Sequence, residues 1–101
     1  MSGHKGHGRL RYIRVAKGNL AITGSKPSLW YWTLYDKAGN AIVRSYAQET
    51  PLRAVQDARR VFLGSGEKFY WTISEDRAKT KRQLQFAATV HDAEETYKEV
   101  R

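Results

Sequence analysis

The residues with chemical potential in this chain are tyrosines and arginines set at strand spacing. Tyr31, Thr33 and Tyr35 alternate along one segment, Ile42, Arg44 and Tyr46 along the next, and Tyr70 and Thr72 along a third. Side chains two apart in a strand share a face. An open sheet face of this composition offers phenol rings on which nucleobases can stack and guanidinium groups that neutralise phosphates. Arg11 and Arg14 extend the set near the N-terminus, and the run Arg77-Ala78-Lys79-Thr80-Lys81-Arg82 is a candidate phosphate-gripping loop. The same residues have plainer readings. Tyrosines on a sheet face also suit a dimer interface or the underside of a second layer. The 77–82 run reads equally as a solvated hairpin tip, and Arg53, Arg59 and Arg60 as the solvated side of a helix.

Other chemistry finds little support. The absence of cysteine excludes disulfides and thiolate zinc sites. Of the three histidines, His4 and His7 sit in the N-terminal segment and His91 at the start of a helix. With Met1 removed, Ser2-Gly3-His4 could hold copper or nickel, an arrangement that flexible tails often carry by accident. No Ser/His/Asp set and no facing pair of carboxylates is discernible. Gly64-Ser65-Gly66-Glu67-Lys68 lacks the spacing and the following helix of a phosphate loop. Asp36 and Glu75 stand at equivalent strand ends and would share a metal only if two loops met. The expectation is a non-enzymatic protein with no cofactor and no metal.

Charge sharpens the choice of partner. The formal net charge is +8 over 101 residues. Residues 1–35 contain Lys5, Arg9, Arg11, Arg14, Lys17 and Lys26 and no acid, while the last helix carries Asp92, Glu94, Glu95 and Glu99. So basic and uneven a chain attracts polyanions. The leading expectation is a nucleic-acid-binding protein, single-stranded DNA or RNA being its ligand. The alternative is a protein-interaction module, such as a phage or mobile-element accessory factor, that uses the same face for a homodimer or an acidic partner. No apolar run is long enough for a membrane span and the N-terminus lacks an apolar signal region, so a cytoplasmic location is expected.

The elements that must position these residues follow from pattern. Residues 1–8 have no apolar anchor and read as a disordered tail. A strand is expected over 9–15, and a short return strand over Leu20–Thr23. Two ββα modules follow, over 28–62 and 67–101. Tyr31-Trp32-Thr33-Leu34 recurs 39 positions later as Tyr70-Trp71-Thr72-Ile73, and the same offset pairs Thr50 with Thr89, Ala54 with Ala93 and Val61 with Val100. In the first module the expected strands are Leu29–Tyr35 and Ala41–Ala47, joined by a hairpin loop at Asp36–Asn40. Thr50 is a fit N-cap, with Pro51 at the first helical position and Ala54, Val55, Ala58, Val61 and Phe62 inward. In the second, strands over Lys68–Ser74 and Arg82–Ala88 flank a basic loop at 75–81. Thr89 and Asp92 form a capping box, and Ala93, Tyr97 and Val100 point inward. Trp30, Trp32 and Leu34, with Phe69, Trp71 and Ile73, are the bulkier sets and should face the helices. The fold class is α+β, an antiparallel sheet with two helices on one face after an N-terminal strand or hairpin.

The first module resembles the YegP-like family of small tandem β-β-β-α repeat proteins. The likeness rests on Trp30-Tyr31-Trp32, the turn Gly39-Asn40, Ile42-x-x-Ser45, and Ala54, Ala58 and Val61 along the helix, and covers mainly residues 9–62. The family places Asn before Gly in the turn, and has Tyr and Gly where this chain has Gln48 and Asp57. The resemblance implies a two-repeat α+β fold, often dimeric, and transfers no site residue. The order of strands before a helix is also similar to the PUR and Whirly single-strand binders and to phage-integrase arm-binding domains, by topology alone.

Overall fold

The computed structural model describes residues 10–77 and 80–100. Its elements are β1 (Tyr12–Lys17), β2 (Trp30–Tyr35), β3 (Ala41–Arg44), α1 (Pro51–Val61), β4 (Phe69–Arg77), β5 (Thr80–Ala88) and α2 (Val90–Val100). The class is α+β, as expected. The strands form one sheet in the order β3-β2-β1-β4-β5. The sheet is mixed where an antiparallel one was expected, because β1 and β4 pair in parallel while the other neighbours are antiparallel. The connection explains this: β2, β3 and α1 intervene between β1 and β4, enough chain to return β4 in the same sense as β1. Each ββα segment lies on its own side of β1.

Two local expectations are corrected. Residues 20–23 form turns and no strand. The expected basic loop over 75–81 is mostly strand, since β4 continues to Arg77 and β5 starts at Thr80. In the shorter hairpin, Asp36 Oδ1 accepts the backbone N–H groups of Ala38 and Asn40, at 2.9 and 2.8 Å. Gly39 takes φ +94°, which an L side chain resists.

The core fills the space between one sheet face and both helices. Ile13, Val15, Trp32, Leu34, Phe69, Trp71 and Ile73 meet Ala54, Val55 and Ala58 of α1 and Val90, Ala93 and Tyr97 of α2. The repeated tryptophans both face inward, and each indole N–H is satisfied. Trp32 Nε1 donates to Asp57 Oδ2 at 2.8 Å, and Trp71 Nε1 to the Ala88 carbonyl at 3.1 Å. Left unpaired, such a buried donor would cost about 1–3 kcal/mol. Thr50 and Thr89 also behave alike: their hydroxyls accept the N–H of Arg53 at 3.1 Å and of Asp92 at 3.2 Å. Val61 and Val100, expected inward, are exposed, each being the last residue of its helix.

On the helix side, several charges are held in pairs. Glu94 is buried, and accepts from Gln56 Nε2 at 3.0 Å and Arg59 Nη1 at 2.8 Å, with Lys98 Nζ at 3.1 Å. Burial opposes its ionisation, but these three donors outweigh burial and hold its carboxyl below the usual glutamate range. The cluster ties α1 to α2. Asp57 also pairs with Arg60.

Candidate nucleic-acid interface

Strand register sorts the opposite face into two parallel rows. Arg44, Thr33, Arg14, Thr72 and Gln85 are successive Cα partners from β3 to β5. Ala41, Tyr35, Tyr12, Tyr70 and Ala87 form the next row in the same way. Two residues of strand separate the rows, about 6.8 Å. One row carries two guanidinium groups with hydroxyl and amide side chains between and beyond them. The other carries three tyrosines on the three central strands. Neither row contains an acid.

The side chains keep this order. Tyr12 and Tyr35 stack with ring centroids 4.6 Å apart and an interplanar angle of 11°. Burial raises the Tyr12 pKa, the neighbouring Tyr35 adds to this and Arg14 opposes it, so the phenol stays neutral at physiological pH. Tyr70 OH donates to Gln85 Oε1 at 2.9 Å. The Arg44 guanidinium lies over the Tyr31 ring, 4.3 Å from its centroid. Arg14 is exposed, and among the described residues neither it nor Arg44 makes an ion pair.

The connection from β1 to β2 builds a wall along one side of the rows. It is a folded turn structure. Gly18 N–H donates to the Leu29 carbonyl at 2.9 Å, Asn19 N–H to Ser25 Oγ at 2.8 Å, and Lys26 N–H to Tyr31 OH at 2.9 Å. A Cβ at Gly18 would sit 2.1 Å from the Lys26 carbonyl oxygen, so only glycine fits that crossing. Between wall and sheet lies an open basin of about 500 Å³, lined by Arg14, Lys17, Arg44, Tyr35 and the loop's Leu20 and Ile22, among others, with no acid. Leu20 is 79% exposed and Ile22 45%, so the wall presents apolar side chains to whatever enters.

Of the residues singled out from sequence, Arg14, Tyr35 and Arg44 come together at the basin, and Tyr70 stands in the tyrosine row. The others are closed off or placed elsewhere. Tyr31 also borders the basin but is only 7% exposed, held under the loop by its hydroxyl and covered by Arg44. Its ring is closed to stacking. Arg11 is on the helix side, paired through Nε with Glu67 Oε2 at 2.9 Å and 5.5 Å above the Phe69 ring. Tyr46 lies past the end of β3 and is 91% exposed, outside both rows. Arg82 is the register partner of Glu75, and its Nη2 donates to the Val100 carbonyl at 3.3 Å, a cation on the C-terminus of α2. Lys79 and the side chains of Arg77 and Lys81 lie outside the described residues.

Sequence reasoning missed Tyr12, the centre of the tyrosine row. Strand parity carried the signal: Arg11 and Arg14 are three apart and cannot share a face, while Tyr12 and Arg14 must. Asp36 is engaged by its own turn, and among the described residues no group of three His, Cys, Asp or Glu side chains is placed to hold a metal ion. Among the described residues, no helix is long and apolar enough to cross a membrane. Compared with known proteins, the chain matches no family model, no curated protein and no solved structure, so its functional reading rests on geometry alone.

Proposed function

We propose that the protein binds single-stranded nucleic acid on the open sheet face, without catalysing a reaction. The observation that carries this is the pairing of two rows about 6.8 Å apart, tyrosines in one and, among the described residues, arginines outside any ion pair in the other. The tyrosine row serves the bases, since every base has a π-face, and the arginine row serves the phosphates. A duplex hides its base faces and gains nothing from the tyrosines, which is why the single strand is favoured. Thr33, Thr72 and Gln85 add hydrogen-bonding groups for base edges or sugar hydroxyls.

Intrinsic tyrosine and tryptophan fluorescence, titrated with oligonucleotides at low and moderate salt, tests this. Quenching at low salt that weakens as salt rises is expected. Arg14→Ala combined with Arg44→Ala should weaken binding at low salt and flatten the plot of log K against log salt by about 1.4, two phosphates at about 0.7 each for a single strand. No response at low salt removes the proposal. A second reading, a protein-interaction module, draws on the margin of β3, where Ile42, Val43 and Tyr46 are exposed within one short segment. Light scattering addresses it: a dimer dispersed by Val43→Lys, with oligonucleotide affinity unchanged, favours that surface as the functional one.

A further inference from the structure

Tyr12 and Tyr35 form a ready-made stack on the open face, and we infer that the β3-side face of Tyr35 is a slot for one unpaired nucleobase. This rests on the proposal that the open face binds nucleic acid, and adds where a base sits and which way the strand runs. The two rings are nearly parallel and come from adjacent strands, at 4.6 Å and 11°. Tyr12 covers one face of Tyr35, so the other face looks toward β3. The β3 residue in register with Tyr35 is Ala41, which is small and exposed. β2 and β3 slip in register between Leu34 and Tyr35. Such irregularities at a sheet edge re-aim side chains and leave local openings.

The ligand chemistry follows from what surrounds the opening. A flat π-face beside a small side chain suits a planar ring of any sequence. Arg44 on the same strand, in the adjoining row, meets the phosphate of the stacked nucleotide. A base placed there continues an existing stack whose axis crosses the β-strands. The bound strand therefore runs across the sheet from β3 toward β5, its phosphates above the arginine row and along the basin. Tyr12 acts as a positioning residue: it holds Tyr35 upright and does not itself contact this base.

The test compares a short oligodeoxyadenylate with an abasic strand of equal length, by fluorescence anisotropy of end-labelled probes, for the wild type, Ala41→Leu and Tyr35→Leu. Ala41→Leu fills the opening without altering charge, and thermal melting checks that each variant folds. The wild type should bind the base-bearing strand about tenfold more tightly than the abasic one. Ala41→Leu and Tyr35→Leu should both lose most of that preference while keeping their affinity for the abasic strand. Retention of the preference in Ala41→Leu overturns the slot, because the bases then stack elsewhere. Equal wild-type binding of both strands also overturns it, yet leaves a phosphate-binding face intact. Binding of neither strand at low salt removes the nucleic-acid proposal itself.

Discussion

The two faces of the sheet handle the same residue types in opposite ways. On the helix face, four cations of the described residues are held in ion pairs: Arg11 with Glu67, Arg59 and Lys98 with Glu94, Arg60 with Asp57. On the open face, Arg44 lies over a tyrosine ring and Arg14 stands free of any ion pair among the described residues. The aromatic residues divide likewise. Trp71 is fully buried with its N–H satisfied, whereas Tyr12 and Tyr35 stack on each other beside an open basin. Charge that is already compensated inside the molecule cannot attract a ligand, and charge left uncompensated is available. Arginines occur on both faces, and Arg14 and Arg44 of the open face are left outside the ion pairs of the helix face.

Breaking the helix face should be the most damaging change. Trp71→Ala removes the largest fully buried side chain and should lower stability by about 3–5 kcal/mol, measurable by urea denaturation. The helix face also predicts an acid limb. The folded-state pKa of Glu94 is depressed, so its contribution is complete above the unfolded-state value of about 4.5 and is lost as pH falls through the lower folded value. Stability measured from neutral to acid pH should fall over that window, and Glu94→Gln should flatten the fall. An unchanged acid limb in the variant would show that the helix-face pairs contribute little. The smallest effect belongs to the wall. Leu20→Ser should leave stability within about 0.5 kcal/mol, since the side chain touches little. A larger loss would mean that the loop supports the fold as well as bounding the basin.

Much of this division was legible in the residues. Alternation placed Trp32, Leu34, Trp71 and Ile73 together, and Thr50 and Thr89 announced both helices, because these signals are local. What alternation could not supply was the strand ends and the long connection. Tyr46 falls outside the rows because β3 stops at Arg44. Tyr31 loses its free ring because the β1–β2 connection folds back over it, through hydrogen bonds that no periodicity encodes. The 75–81 segment looked like a loop because its charges mask a strand pattern that only pairing stabilises. Arg11 was the avoidable error, decided by parity alone.

The strand order has a consequence for how the molecule assembles. β1 sits in the middle, pairing with β2 across the folded 18–29 connection and with β4 only after two strands and a helix have intervened, Tyr12 opposite Tyr70. Contacts so distant in sequence close slowly. Until β4 docks, Ile13 and Val15 lie in a sheet with an unprotected edge at its future centre, and the row of tyrosines is incomplete. The proposed binding face and the longest-range strand pairing of the sheet's centre thus share a single strand pair. A substitution that delays docking of β4 would expose a sticky edge and withhold the proposed site in the same interval.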